Sequence, residues 1–164
     1  MKNIKMKSLK YSRGRYEFFN DRVIMFPPQI IDILSSIYGE GVKSLLVWLG
    51  KKAGWTLVSR WEEVLKPKSL NDLTKQFMAI MSQIGLGRFV IKQVSDEVII
   101  VQHHSNISLE LESKSKYYCY FVQGVLVGFG EFALYRVDVK ETQCSVDNQD
   151  LKYCEYLITK KATL

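Results

Sequence analysis

Apolar and polar positions change period three times along this chain. Up to Phe26 the pattern is strand-like, and two short apolar runs from Arg15 to Phe26 flank Asn20-Asp21, a hairpin signal. Pro27-Pro28 then stops the strand and opens a helix carrying Ile30, Ile31, Leu34 and Ile37, which Gly39 and Gly41 end. The next helix shows an apolar stripe of Val42, Leu45, Leu46, Leu49, Ala53, Leu57 and Trp61. A third begins at Ser69, with Asp72 three residues on as in a capping box, and stops at Gly85 and Gly87. The period then falls to two. Residues 88–94 and 97–102 are rich in β-branched side chains around Ser95-Asp96, a second hairpin.

A polar stretch leads to Tyr117–Leu134, which is apolar nearly all round and predicts a helix covered on most sides. Residues 135–139 and 153–159 alternate as strands. Helices and strands are segregated, so the expected fold class is α+β, an antiparallel sheet packed against helices. The expected division is a basic arm or edge strand over residues 1–20 and a single domain over 21–164.

Charge alters this picture at one end. Residues 1–15 carry Lys2, Lys5, Lys7, Lys10, Arg13 and Arg15 and no acid, leaving 17 basic and 17 acidic residues elsewhere. The whole net charge of +6 therefore sits in the arm. It suits an edge strand whose lysines deter aggregation, or weak, salt-sensitive contact with nucleic acid through residues 1–15 and no more. No apolar run reaches the ~20 residues of a membrane span. The first residues lack the apolar stretch of a signal peptide, so a cytoplasmic protein is expected.

The three cysteines, Cys119, Cys144 and Cys154, are an odd number without a secretory signal, which argues against a disulfide framework. They are buried small hydrophobes or, with Glu141, metal ligands. A Glu three residues before a Cys reaches the same ion if the chain turns between them. The spacing contains no Cys-x-x-Cys knuckle, and from the residues alone both readings stand.

The run Tyr118-Cys119-Tyr120-Phe121-Val122-Gln123-Gly124-Val125-Leu126-Val127-Gly128, then Glu141-Thr142-Gln143-Cys144, then Cys154, resembles the 4-vinyl reductase domain family. Residues 22–60, with Gly50-Lys51-Lys52-Ala53-Gly54, look like that family's first helical half. The chain departs from it at Leu86, where the family has an aromatic, and in residues 145–153, which lack the family's glycine. The resemblance implies the ligand-binding fold shared by aromatic-sensing activators and TRAPP tethering-complex subunits. It implies a homodimer that binds a small apolar molecule or acyl chain, and a structural zinc on Cys119, Glu141, Cys144 and Cys154. It also implies ligand contacts at Gln123 and Phe129, with Val139 as another wall, and a signal that leaves through a regulatory partner protein.

An enzyme is not expected, despite the family's name. No Gly-x-Gly-x-x-Gly follows a strand, and a zinc held by three Cys and one Glu is closed to substrate. His103 and His104, adjacent on a strand, point to opposite faces, and a surface position at the strand end is expected for them. Gly124, Gly128 and Gly130 leave space along the buried helix. A neighbouring backbone fills it, or a ligand does; the expectation is a hydrophobic cavity between helix and sheet with Gln123 and Phe129 at its rim.

Overall fold

The computed structural model describes residues 9–111 and 116–162. A small antiparallel meander opens it: β1 (Leu9–Ser12), β2 (Arg15–Phe18) and β3 (Asp21–Val23). Both connections are two-residue turns with positive φ at each position, Arg13-Gly14 and Phe19-Asn20, the mirror-image turns that suit strand twist. The second falls one residue earlier than the sequence suggested, because Asp21 already pairs with Phe18. Phe19 holds this unfavourable backbone because its ring packs on Phe18 and Trp61, with centroids 4.6 and 5.9 Å away. Residues 1–8 of the basic arm lie outside the described residues. Of its remaining cations, Lys10 lies on β1, and Arg15 pairs with Glu17 at 2.8 Å.

Three helices follow: α1 (Ile30–Tyr38), α2 (Val42–Leu65) and α3 (Leu70–Gln83). Ser69 caps α3 by accepting the Asp72 N–H at 3.2 Å. The return bond of the box goes one residue further back, from the Lys68 N–H to the Asp72 carboxylate. Then come β4 (Arg88–Val94), β5 (Val98–His104), α4 (Tyr117–Leu134), β6 (Val137–Gln143) and β7 (Tyr153–Lys160). The four strands form one antiparallel sheet in the order β4-β5-β7-β6. The fold is α+β. No described helix is long and apolar enough to cross a membrane.

Helix α4 lies between α2 and the sheet, which explains its apolar circumference. The buried face of α2 is Val42, Leu46, Gly50, Gly54, Val58 and Trp61. It is rotated from the stripe read in the sequence, and Leu49 stays exposed. Two glycines occupy its centre, where a hydrophobicity count sees nothing. They face Gly124 and Gly128 of α4. A Cβ on Gly50 would collide with the Phe121 carbonyl, and one on Gly54 with that of Val125. A Cβ on Gly124 would meet the Val47 carbonyl, and one on Gly128 that of Lys51. Backbone of α2, not ligand, fills the space beside Gly124 and Gly128, so these two glycines do not open the expected cavity between helix and sheet. Gly130 faces the sheet, against Ile158 and Val137.

Candidate metal centre

Cys119 stands in the first turn of α4, Glu141 on β6, Cys144 directly after β6, and Cys154 on β7. On a regular strand, residues 141 and 144 would point to opposite faces. The ladder between β6 and β7 slips by one residue between Glu141 and Gln143. This bulge at Thr142 re-aims the chain and brings both side chains to one side. A bulge thus does what the sequence reading assigned to a turn.

The ligand atoms of Cys119, Glu141, Cys144 and Cys154 all lie within 4.8 Å of one another. Cys144 and Cys154 Sγ are 3.8 Å apart. Zinc–sulfur bonds of about 2.3 Å in a tetrahedron set sulfurs about 3.8 Å apart, so this spacing fits the ion. Glu141 Oε1 is buried without a hydrogen-bond partner, an open acceptor beside three sulfurs.

The surroundings favour negative charge on this cluster. Asn106 Nδ2 donates to Cys119 Sγ at 3.1 Å and to Cys154 Sγ at 3.2 Å. Its orientation is fixed because its Oδ1 accepts the Ser108 N–H at 3.0 Å. The Ser145 N–H donates to Cys154 Sγ at 3.4 Å, with Ser145 Oγ 3.3 Å from the same sulfur. Lys116 Nζ reaches Glu141 Oε2 at 3.1 Å and also pairs with Asp147. Hydrogen bonding with Cys119, Cys144 and Ser145 holds the Cys154 thiol well below its ordinary pKa. The same sharing with Cys144 and Cys154 pushes Cys119 up. Burial and the neighbouring Cys144 raise Glu141, against the pull of Lys116. Three thiolates and a carboxylate carry four negative charges; a divalent ion cancels two, and the amide, hydroxyl and ammonium donors offset part of the rest.

The other predicted contacts sit in packed surroundings. Gln123 Nε2 donates to the Val139 carbonyl at 2.8 Å, tying α4 to β6. Phe129 is fully buried, its ring stacked on Phe77 at 4.5 Å. His103 is not at the surface. It is buried, with Nε2 2.7 Å from the Leu86 carbonyl and its ring stacked on Phe89 at 4.7 Å. The strand-end reading failed because Gly87, with φ of 106°, lets the preceding loop close over the imidazole.

Sequence reasoning missed Asn106, Ser108, Lys116 and Ser145. Ser145 follows a predicted ligand, and Lys116 precedes the helix that carries another. Asn106 had a weaker signal, an Asn-x-Ser cap inside a stretch read only as polar.

No protein-family model and no curated protein matches this sequence. Solved structures do. They share this chain's α+β fold. The phenol-responsive sensory domain of the transcription activator PoxR, solved with phenol, superposes with a TM-score of 0.76 at 12% identity, over 93% of this chain and 85% of that one. A trafficking protein particle complex subunit 3 from Naegleria fowleri, covalently bound to palmitic acid, gives 0.60 at 16% identity, over 83% and 91%. A vinyl-4-reductase family protein from Methanocaldococcus jannaschii gives 0.58 at 16% identity, over 85% of each chain. These likenesses match the fold implied by the Cys/Gly/Glu pattern.

Proposed function

We propose that this chain is a non-enzymatic binding module whose sheet and buried helix are fastened by one structural zinc on Cys119, Glu141, Cys144 and Cys154. The observation that carries the reading is the convergence of four ligand atoms within 4.8 Å, ringed by donors from Asn106 and Ser145. Four protein ligands close a tetrahedral site, which suits structure rather than catalysis. Elemental analysis of protein purified without chelator should give about one zinc per chain. A folded, metal-free protein with three freely titratable thiols would overturn it.

The ligand is a small apolar or aromatic molecule or an acyl chain. Support comes from the shared fold, since one neighbour was solved with phenol and another with palmitic acid. Gln123, Phe129 and Val139 hold it, with the Gln123 amide turning from the Val139 carbonyl to the ligand's polar atom. Ligand entry then requires Phe129 to leave Phe77 of α3, and α4 and β6 to part where Gln123 bonds the Val139 carbonyl. Small aromatics and fatty acids should raise the melting temperature in proportion to occupancy. A flat response to both classes rejects this ligand.

A tethering role of the TRAPP type is the second reading, and one feature favours it. Ile24, Met25, Phe26, Ile33 and Ile37 are each 56–69% exposed, apolar surface that a partner would cover. A homodimer covers it in the sensor reading, and a regulatory protein in the tethering reading. Sedimentation at two concentrations separates them: self-association supports the homodimer, and a concentration-independent monomer removes it. The protein acts in the cytoplasm, and any nucleic-acid contact is weak and confined to residues 1–15.

A further inference from the structure

The sheet order leaves β4 as an edge strand. Beside it runs a groove of about 920 Å³. Helix α3 lines the groove with Lys75, Met78, Ala79 and Ser82, whose spacing is that of one helix face. The strand contributes four consecutive residues, 88–91. A strand met from one face of its sheet would contribute alternate residues. The consecutive run means that the groove meets β4 along its open edge.

The direction of the backbone agrees. The Phe89 N–H donates to Ser82 Oγ at 2.9 Å, so it points away from β5. Antiparallel pairing alternates, which turns the Ile91 N–H the same way. The groove's charge also leans positive. Lys75 and Arg88 line it and join no ion pair among the described residues, and Glu110 is the one acid in its lining.

We propose that this groove docks an extended, acidic segment of a partner protein, which adds to β4 as a strand. Main-chain hydrogen bonds at Ile91 supply the pairing, as in other strand-addition complexes. Apolar side chains of the segment rest on Ala79 and Ile107, and its carboxylates meet Lys75 and Arg88. The register shift between Ile91 and Gln93 and the exposed Lys92 are devices that discourage pairing at an edge. They lie beyond residues 88–91; within that stretch Ser82 takes the Phe89 N–H, and the outward N–H left for a partner is that of Ile91. The site uses none of the metal or ligand residues, so it stands or falls apart from them.

The probe is a pool of displayed peptides of about six residues, alternating apolar and acidic positions, selected on the full chain and on Ile91→Pro. Proline is tolerated on an edge strand and removes the outward N–H; a melting curve checks that the variant folds. Peptides enriched on the wild type alone are expected. Methylating their backbone nitrogens should abolish binding, and Lys75→Glu or Arg88→Glu should weaken it about fivefold at low salt. No enrichment over Ile91→Pro overturns the proposal, as does binding indifferent to N-methylation. It also falls if Ile91→Pro dissolves a self-association of the wild type while no peptide binds, for then the edge serves a second copy. Capture by the groove of aromatics or fatty acids, without peptides, overturns it likewise.

Discussion

Against α2, helix α4 presents Gly124 and Gly128; against the sheet it presents Cys119 and Gln123. The first contact is made of backbone. Four glycines inside two helices cost about 3 kcal/mol in helix propensity, and close packing of the helix surfaces must offset that. The Lys51–Glu131 ion pair at 2.7 Å adds a polar clasp to the same pair of helices. The second contact is made of polar groups that are costly to bury unless paired. Glu141 Oε1 has no partner, and the donors of Asn106 and Ser145 aim at sulfur. The two sides teach different lessons about missing side chains and missing partners. A run of glycines marks a place with no room, while a cluster of acids and thiols marks a place with unspent charge.

The largest effect is expected on the sheet side. Cys154→Ser removes the sulfur that accepts from both Asn106 and Ser145. If that sulfur binds zinc, the variant should lose more than about 4 kcal/mol of stability, because the ion's binding energy is folding energy. Chelator added to the wild type should lower its melting temperature toward that of the variant. Equal melting of wild type, variant and chelated protein would reduce the cluster to buried thiols and erase the contrast between the two sides.

On the α2 side the usual sign of a Gly→Ala change should reverse. Gly→Ala inside an exposed helix stabilises by about 1 kcal/mol. At Gly54 or Gly128 the added methyl meets carbonyl oxygens of the facing helix, which cannot swing away as a side chain can. Gly128→Ala should therefore destabilise by about 2–3 kcal/mol, read from denaturant midpoints, with whatever metal content the wild type has unchanged. A stabilised Gly128→Ala would mean that the helices stand further apart than this seam implies.

Much of this was legible beforehand, for reasons that differ by element. Tyr117–Leu134 announced a buried helix because its apolar residues surround the axis, and its bounds are those observed. The candidate set Cys119, Glu141, Cys144 and Cys154 was one of two readings the residues left open, the resemblance favoured it, and the structure brings the four together. The Thr142 bulge was not legible, since nothing local in Glu-Thr-Gln-Cys distinguishes it from a turn. The face of α2 was misread because Gly50 and Gly54 carry no hydrophobic signal although they sit at its centre. Asn106 escaped because its partners are sulfurs 13 and 48 residues away, and no local pattern encodes such a contact.

A smaller effect depends on pH. Burial holds His103 down at about 4, helped by His104 and opposed by the hydrogen bond to the Leu86 carbonyl. The unfolded chain takes up this proton near pH 6.5, and the folded chain does not until about pH 4. This share of stability is whole above pH 6.5 and is lost as the pH falls to 4, by about 3 kcal/mol at most. His103→Phe keeps an aromatic ring against Phe89 and removes the titration. The difference in stability between wild type and variant should change across that window and stay level above it. A level difference throughout would mean that His103 is protonated as easily folded as unfolded. The glycine variants should show no such dependence beyond that of the wild type, which keeps the two sides of α4 experimentally apart.

The smallest effect is expected at Gln123, and it bears most directly on function. Its amide spans the gap from α4 to β6 with one hydrogen bond, to the Val139 carbonyl at 2.8 Å. A bond of this kind contributes about 1 kcal/mol net. Gln123→Leu removes the amide and keeps an apolar side chain one atom shorter, so the loss should stay near that value and the fold should survive. Two outcomes then separate a structural brace from a ligand contact. If the amide serves the ligand, small aromatics with a hydroxyl should raise the melting temperature of the wild type and not of Gln123→Leu, while purely apolar compounds affect both alike. If it is only a brace, the variant should melt slightly lower and show the same ligand shifts as the wild type. The second result would move the ligand away from the α4–β6 gap. It would leave Gln123 beside Gly124 as part of the packing, and the polar side of α4 would then be confined to the cluster around Cys119.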